Sequence, residues 1–407
     1  MINIRVSEEE FAYLCSTRSV RARAKAVFDK AAGGGTHFKV NLDKLPACAK
    51  FVQDLILENY PDLKVPFHSR WEHFNVGGVD RVTSLKTELK GLSKPERAVA
   101  LADLAIISVY VDAGAGPTWK YKAKDGKDYS RSEGLAVASL EMFEAGLFSS
   151  DKSNPCRVDS TSLKALEVAT LSEAFQVNSS NPMTGLEGRA QMLRRMGAVL
   201  EKQTEFFQEG GVCRPGNLLL WCQKQEFVDA QVLLKGLLLG FADMWPARVK
   251  LNGINFGDLW IYPVDSQPDY SHVQPFHKLS QWLAYSLIAP LEDLSIKIEG
   301  VHEFTGLPEY RNGGLLLDKE VIVPRYPESL KKTHTVNSDF LIEWRALTVH
   351  LLDEIAVLIR ASLSKDESEL PLGKILQGGT WLAGRKTAAA LRGGLPPFQI
   401  ESDGTVF

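Results

Sequence analysis

LEGRAQMLRRMGAVLEKQTEFF (186–207) decides the fold class. Leu186, Met192, Leu193, Met196 and Leu200 fall on one face at helical spacing, and Thr184-x-x-Glu187 supplies a capping box ahead of them. The same grammar recurs along the chain. Ser7-x-x-Glu10 opens a stretch with Phe11, Leu14, Val27 and Phe28 at helical intervals. Ser93 before Lys94-Pro95-Glu96 opens an Ala-, Leu- and Ile-rich helix to about Tyr110, and Ser130-x-x-Glu133 opens one to Phe148. Further helices are expected over 217–225, 227–242, 276–289, 338–362 with Ser338 as N-cap, and 380–392. Strand signals are few. WKYKAKDGKDY (119–129) turns at Asp125-Gly126, and two runs around 296–324 flank Gly313-Gly314. The expected fold is mainly α, a helical bundle with one or two small β-ribbons. No linker or repeat divides it, so 1–407 reads as a single compact unit.

Composition narrows the function. At 407 residues, 44% hydrophobic content supplies an ample core and argues against disorder. A net charge of −3 leaves no polyanion footprint, so no nucleic acid partner is expected. Five cysteines without a CxxC pair read as reduced, buried thiols. MINIRVSEEEF carries no apolar signal core, and Val232–Trp245 is broken by Lys235, Gly236, Gly240 and Asp243. The expectation is a cytoplasmic chain without a membrane partner.

Phosphate-loop and metal signatures are absent. Ala31 to Thr36 lacks the Lys-Ser/Thr ending and reads as a helix stop; His68 and His73 are five apart, not four, and no HExxH occurs. No metal or cofactor is therefore expected. Asp112 to Gly116 reads as the end of a buried helix where backbone can approach a ligand. PFHSRWEHF (66–74) packs Trp71 and His73 around a charged pair, which suits either a flat polar ligand or a half-buried turn. In GLLLGFADMWPARV (236–249), Asp243 ends an apolar helix just before Trp245. A desolvated carboxylate there suits glycosyl transfer, where an anion faces an oxocarbenium-like carbon; pairing with Arg248 is the structural alternative. Asp339 sits in the first turn of the long helix, where the dipole favours an anion. Glu343 and Arg345, two apart, point to different faces, leaving Glu343 to reach into a pocket or into solvent. Between 371 and 400 there is no acid. Gly378-Gly379-Thr380 ahead of Arg385 reads as a helix start able to hold a phosphate, or as a basic surface helix.

PFHSRWEHF, FADMWPARVKLNGINFGDLW, PFHKLSQWLAYSL and GGTWLAGRKTAAALRGGLPP resemble the uracil catabolism protein 4 family over essentially the whole chain. A more distant resemblance is to the queuosine salvage proteins, which hydrolyse the N-glycosidic bond of queuosine 5′-phosphate. Those are all-helical relatives of the helix-hairpin-helix DNA glycosylases. Phe241-Ala242-Asp243 is similar to their catalytic Phe-Ala-Asp, Glu343-Trp344-Arg345-Ala346 to a helix start, Val111-Asp112 through Trp119 to a third segment, and Leu186–Leu200 to their long middle helix. Met244-Trp245 departs from the Tyr-Arg of that pattern, and 262–335 reads as an inserted segment with a short ribbon, ahead of C-terminal helices over 336–407.

The resemblance implies an N-glycosidic hydrolase of a ribose 5-phosphate derivative, either a ring-opened uracil nucleotide or ribosylurea 5-phosphate. Asp243 and Glu343 would be catalytic. Asp112, Trp71, His73, Trp245, Arg248, Asp258, His277 and Asp339 would bind substrate; Gly379, Thr380 and Arg385 would hold phosphate. The alternatives are an amidohydrolase or deaminase of the opened ring and a noncatalytic binding protein. A homodimer is a candidate assembly.

Overall fold

A computed structural model of the chain describes residues 2–225, 228–246 and 248–401. It is mainly α-helical, with short ribbons of two or three strands. The residues form two compact units. Of the described residues, the first holds 2–68, 246–281 and 300–401; the second holds 69–245 and 282–299. Of the segment 262–335, residues 282–299 lie in the second unit and the rest in the first.

The first unit is built on the helix Asp339–Leu363. Ser338 caps it by accepting the Leu341 N–H, and residues 340–349 are buried without a break. A helix stretch buried all round must be enclosed by other elements, and the helices Thr17–Ala32 and Leu45–Asn59 pack on it. The stretch opened by Ser7 breaks into two helices, because Ser16 accepts the Ser19 N–H and caps a second start. Ile2–Ile4 runs parallel to Val249–Leu251, which pairs antiparallel with Ile254–Asn255. Leu259–Ile261 pairs antiparallel with Val273–Pro275, setting Trp260 opposite Gln274. Around 296–324 only Ile322–Pro324 forms a strand, paired with Phe38–Val40. Gly313 and Gly314 lie inside the helix Tyr310–Asp318, where a Cβ on Gly313 would come within 2.2 Å of the Trp344 ring.

The second unit centres on the helix Lys94–Tyr110. The Ser93/Glu96 capping box forms as expected, and the helix is buried on every side from Ala98 to Tyr110. Asp103, wholly buried within it, accepts from the Val158 and Gly216 N–H groups and pairs with Arg214, pinning two loops. Tyr121–Lys122 and Asp128–Tyr129 form the expected hairpin. The helix Leu186–Lys202 starts after Gly185 in a left-handed conformation, and Thr184 makes no cap. The helix expected over 227–242 is seen as Ala230–Gly240, with Phe227 outside the described residues.

Trp344 is fully buried, so nothing beside Gly313 can yield cheaply. Gly313→Ala is expected to lower unfolding free energy by about 1–3 kcal/mol, the usual cost of overpacking. Urea denaturation of the two proteins checks this.

Candidate functional site

In the second unit, three basic side chains of Leu186–Lys202 hold the segments that carry Asp112 and Asp243. Arg189 donates from Nε to the Val111 carbonyl at 3.0 Å and from Nη2 to that of Ala113. Burial pulls its pKa down to about 10 against the opposing pull of Asp112. Arg195 donates to the Met244 carbonyl at 3.2 Å, and Lys202 pairs with the Asp243 carboxylate. Lys202 stands at the helix C-terminus, where the dipole favours a cation. Asp243 lies on the turn Ala242–Met244, just after the helix Ala230–Gly240. Its side chain is 42% exposed and that of Lys202 is 68% exposed, so the expected desolvation is not found. The partner is Lys202 and not Arg248. Trp245 is buried, its ring 5.6 Å from that of Tyr110, which in turn packs on Phe241.

Asp112 belongs to a more enclosed arrangement. The Ser132 hydroxyl lies 2.6 and 2.8 Å from its two oxygens, and Arg70 Nη1 is 3.1 Å away. Arg70 is fully buried and donates from Nε to Ser108 at 2.7 Å. Burial lowers the Arg70 pKa, while Asp112 and Glu133 oppose the shift. Trp71 gives its indole N–H to the Ser286 carbonyl at 2.7 Å, and the buried His73 ring meets Trp282 edge-on at 6.0 Å. From Arg189 to Lys202 the helix runs roughly 20 Å at 1.5 Å per residue. Asp112 and Asp243 are thus tied to opposite ends of it and do not converge on one reacting atom.

The remaining expected residues fall in the first unit. Glu343 is buried, and both of its oxygens are engaged. Oε2 takes the His37 N–H at 2.7 Å and lies 2.9 Å from the His37 Nδ1, while Oε1 takes the Tyr262 hydroxyl at 2.9 Å. Glu343 therefore braces Tyr262 and is not free to enter a pocket. Burial and the Glu343 charge raise the Tyr262 pKa, keeping the phenol protonated. Arg345 makes a bidentate pair with Asp258 at 2.7 and 2.9 Å; the Trp260 indole and the Lys278 N–H also donate to Asp258. Burial pushes that carboxyl up, but Arg345 and the other donors hold it well below the usual range. Asp339 accepts the Val264 N–H at 2.8 Å. Arg248 donates to the Gly257 carbonyl and stacks on Trp260. The buried His277 bonds the Leu14 carbonyl through Nε2.

The expected phosphate-binding helix start is not present. Leu372–Ile375, a π-helical turn Leu376–Thr380 and Trp381–Arg392 follow one another without a break, so Gly379 and Thr380 lie within a helical run. A Cβ on Gly379 would come within 2.5 Å of Val52, so its glycine serves helix packing. Arg385 is exposed and stacks on Trp381. Among the described residues no group of three His, Cys, Asp or Glu could hold a metal ion, and no helix is long and apolar enough to cross a membrane.

A family profile described as "Protein of unknown function (DUF1688)" matches residues 13–407. The chain belongs to this family. It is 39% identical to Protein urg3 of Schizosaccharomyces pombe, with 99% of this chain and 100% of that protein aligned. It is 36% identical to Uracil catabolism protein 4 of Lachancea kluyveri, over 97% and 98% respectively. The resemblance read from PFHSRWEHF and the other long motifs is thereby borne out.

The structure therefore sorts the expected residues of this DUF1688 chain. Asp243 is accessible and ion-paired; Asp112 is held among serines and arginines; Asp258, Glu343 and His277 are structural partners. Arg70 belongs to the charged pair read in PFHSRWEHF and bonds Asp112; nothing in the sequence singles out Lys202, Arg189, Ser132, His37 and Tyr262. Nothing in local spacing links Lys202 to a carboxylate 41 residues further on.

Two stability predictions follow from these environments. Asp258→Asn leaves Arg345 buried beside a neutral group, with an expected loss of about 3 kcal/mol, against below about 1 kcal/mol for the surface change Asp243→Asn. Urea titration separates them. Burial lowers the His68 pKa to about 4, so between there and its ordinary 6.5 the unfolded chain binds more protons. The stability this gives is complete above pH 6.5 and fades as pH falls towards 4. From pH 7 to 4.5 the wild type should lose roughly 2–3 kcal/mol more than His68→Gln in denaturant titrations.

Proposed function

We propose that this chain acts in uracil catabolism as an N-glycosidic hydrolase of a ribose 5-phosphate derivative, a ring-opened uracil nucleotide or ribosylurea 5-phosphate. The name of the Lachancea kluyveri relative supports the pathway. The Phe241-Ala242-Asp243 resemblance supports the reaction. The observation that carries the reading is the accessible ion pair of Asp243 and Lys202, assembled from two elements beside the turn that Arg195 holds.

Such a pair meets both demands of glycosidic cleavage. As the C1′–N bond breaks, positive charge grows on the ribose and the departing nitrogen needs a proton. The Asp243 carboxylate faces the developing cation and takes a proton from the attacking water. The Lys202 ammonium supplies the proton to the leaving nitrogen. Water is consumed, ribose 5-phosphate and a urea-type product leave, and a proton passing from Asp243 to Lys202 restores the pair. An exposed ion pair is weak, so an arriving substrate separates it at small cost. Asp112 and Glu343 take no part in bond cleavage in this reading.

Purified protein incubated with ribosylurea 5-phosphate, or with ring-opened uracil nucleotide, is expected to release ribose 5-phosphate, read by mass spectrometry. Asp243→Asn and Lys202→Met should each fold normally and lower turnover by about a hundredfold or more. Turnover above a tenth of wild type in folded Asp243→Asn would remove the carboxylate from the chemistry. A mass change in the urea half with the glycosidic bond intact would replace this reading with amide hydrolysis.

A further inference from the structure

A cleft of about 270 Å³ opens in the first unit between the helix Thr17–Ala32 and the segment 262–274. Arg23 and Lys30 line it from the helix, seven residues apart and so on one face. Tyr262, Ser271, His272 and Gln274 line the other side, and no acid does.

Both cations are held in place without a carboxylate partner. Arg23 donates from Nη1 to the Ser271 carbonyl at 2.6 Å and from Nη2 to that of Tyr270 at 3.1 Å, with the Tyr270 ring centre 5.1 Å away. Its Nε–H is buried, while Nη1 and Nη2, with two hydrogens each, keep one apiece beyond these bonds. Lys30 donates to the Tyr262 hydroxyl at 2.9 Å and sits 4.6 Å from that ring's centre. Tyr262 spends its own hydrogen on Glu343, which is buried behind it and also engaged by His37. The nearby Asp269 is occupied, 3.0 Å from the His272 ring. Two of the three Lys30 ammonium hydrogens remain available.

We propose that this cleft binds a small phosphate monoester of about pentose-phosphate size. Its oxygens take the hydrogens that the Arg23 Nη groups keep beyond their carbonyl bonds and those of the Lys30 ammonium, since paired cations favour a dianion. The volume falls just below that of pockets for drug-sized ligands, which excludes a dinucleotide. The site uses none of the residues assigned to bond cleavage and stands whether or not that reading does.

The test is calorimetric titration of the full-length chain with ribose 5-phosphate, inorganic phosphate and ribose. Ribose 5-phosphate should bind at least tenfold more tightly than either of the others. Arg23→Gln and Lys30→Gln should each weaken that binding step about tenfold or more, with thermal unfolding showing that they fold. Lys202→Ala should retain the step. Folded Lys30→Gln with undiminished affinity would overturn the proposal, as would loss of the step in Lys202→Ala or equal affinity for inorganic phosphate. Because Lys30 is exposed, its substitution keeps the test informative even if Arg23→Gln fails to fold.

Discussion

A charge taken out of water must find a partner, and this constraint fixes most of what surrounds the two helical cores. Asp103 inside one buried helix and Arg345 inside another cannot be solvated. Asp103 draws Arg214 and two backbone N–H groups to it, and Arg345 draws Asp258. Through these bonds the helices dictate where loops at 158, 214–216 and 258 run. Glu343 does the same for His37 and Tyr262, and Arg70 for Ser108, Ser132 and Asp112. The polar residues of the helices thus act as fixtures for irregular chain.

This separates two kinds of carboxylate. Asp258 and Glu343 have their oxygens filled by donors within the first unit, leaving little capacity for a ligand. Asp243 has one exposed cation, Lys202, beside it, and both side chains reach solvent. Desolvation, the feature that recommended Asp243 from its apolar sequence surroundings, is therefore not what distinguishes it. Its accessibility beside Lys202 does. The cleft at Arg23 and Lys30 shows the complementary case, cations fixed by carbonyls and a phenol with hydrogens left over.

Much of the helical frame was legible in the sequence. The Ser7 and Ser93 capping boxes and the Ser338 cap form where expected, because capping depends on residues three apart. The Asp125-Gly126 hairpin was legible for the same reason. Gly313-Gly314 and Gly378-Gly379 misled. In both, glycine answers to a neighbour distant in sequence, Trp344 in one and Val52 in the other, and local rules read it as a turn. The division into two units depends on which helices share a core, and no local sign carries that.

By itself the sequence determined that this protein is mainly helical and that it carries long motifs of its family. Tertiary structure alone decided which of its acids stay accessible and which are enclosed by donors. Helix periodicity and caps are set within a few residues, so composition and spacing carry them. The partner of a carboxylate is set by packing between distant segments: Lys202 for Asp243, Arg345 for Asp258, Tyr262 for Glu343. No local pattern encodes those meetings, because they arise only when the buried helices close and each enclosed charge is matched.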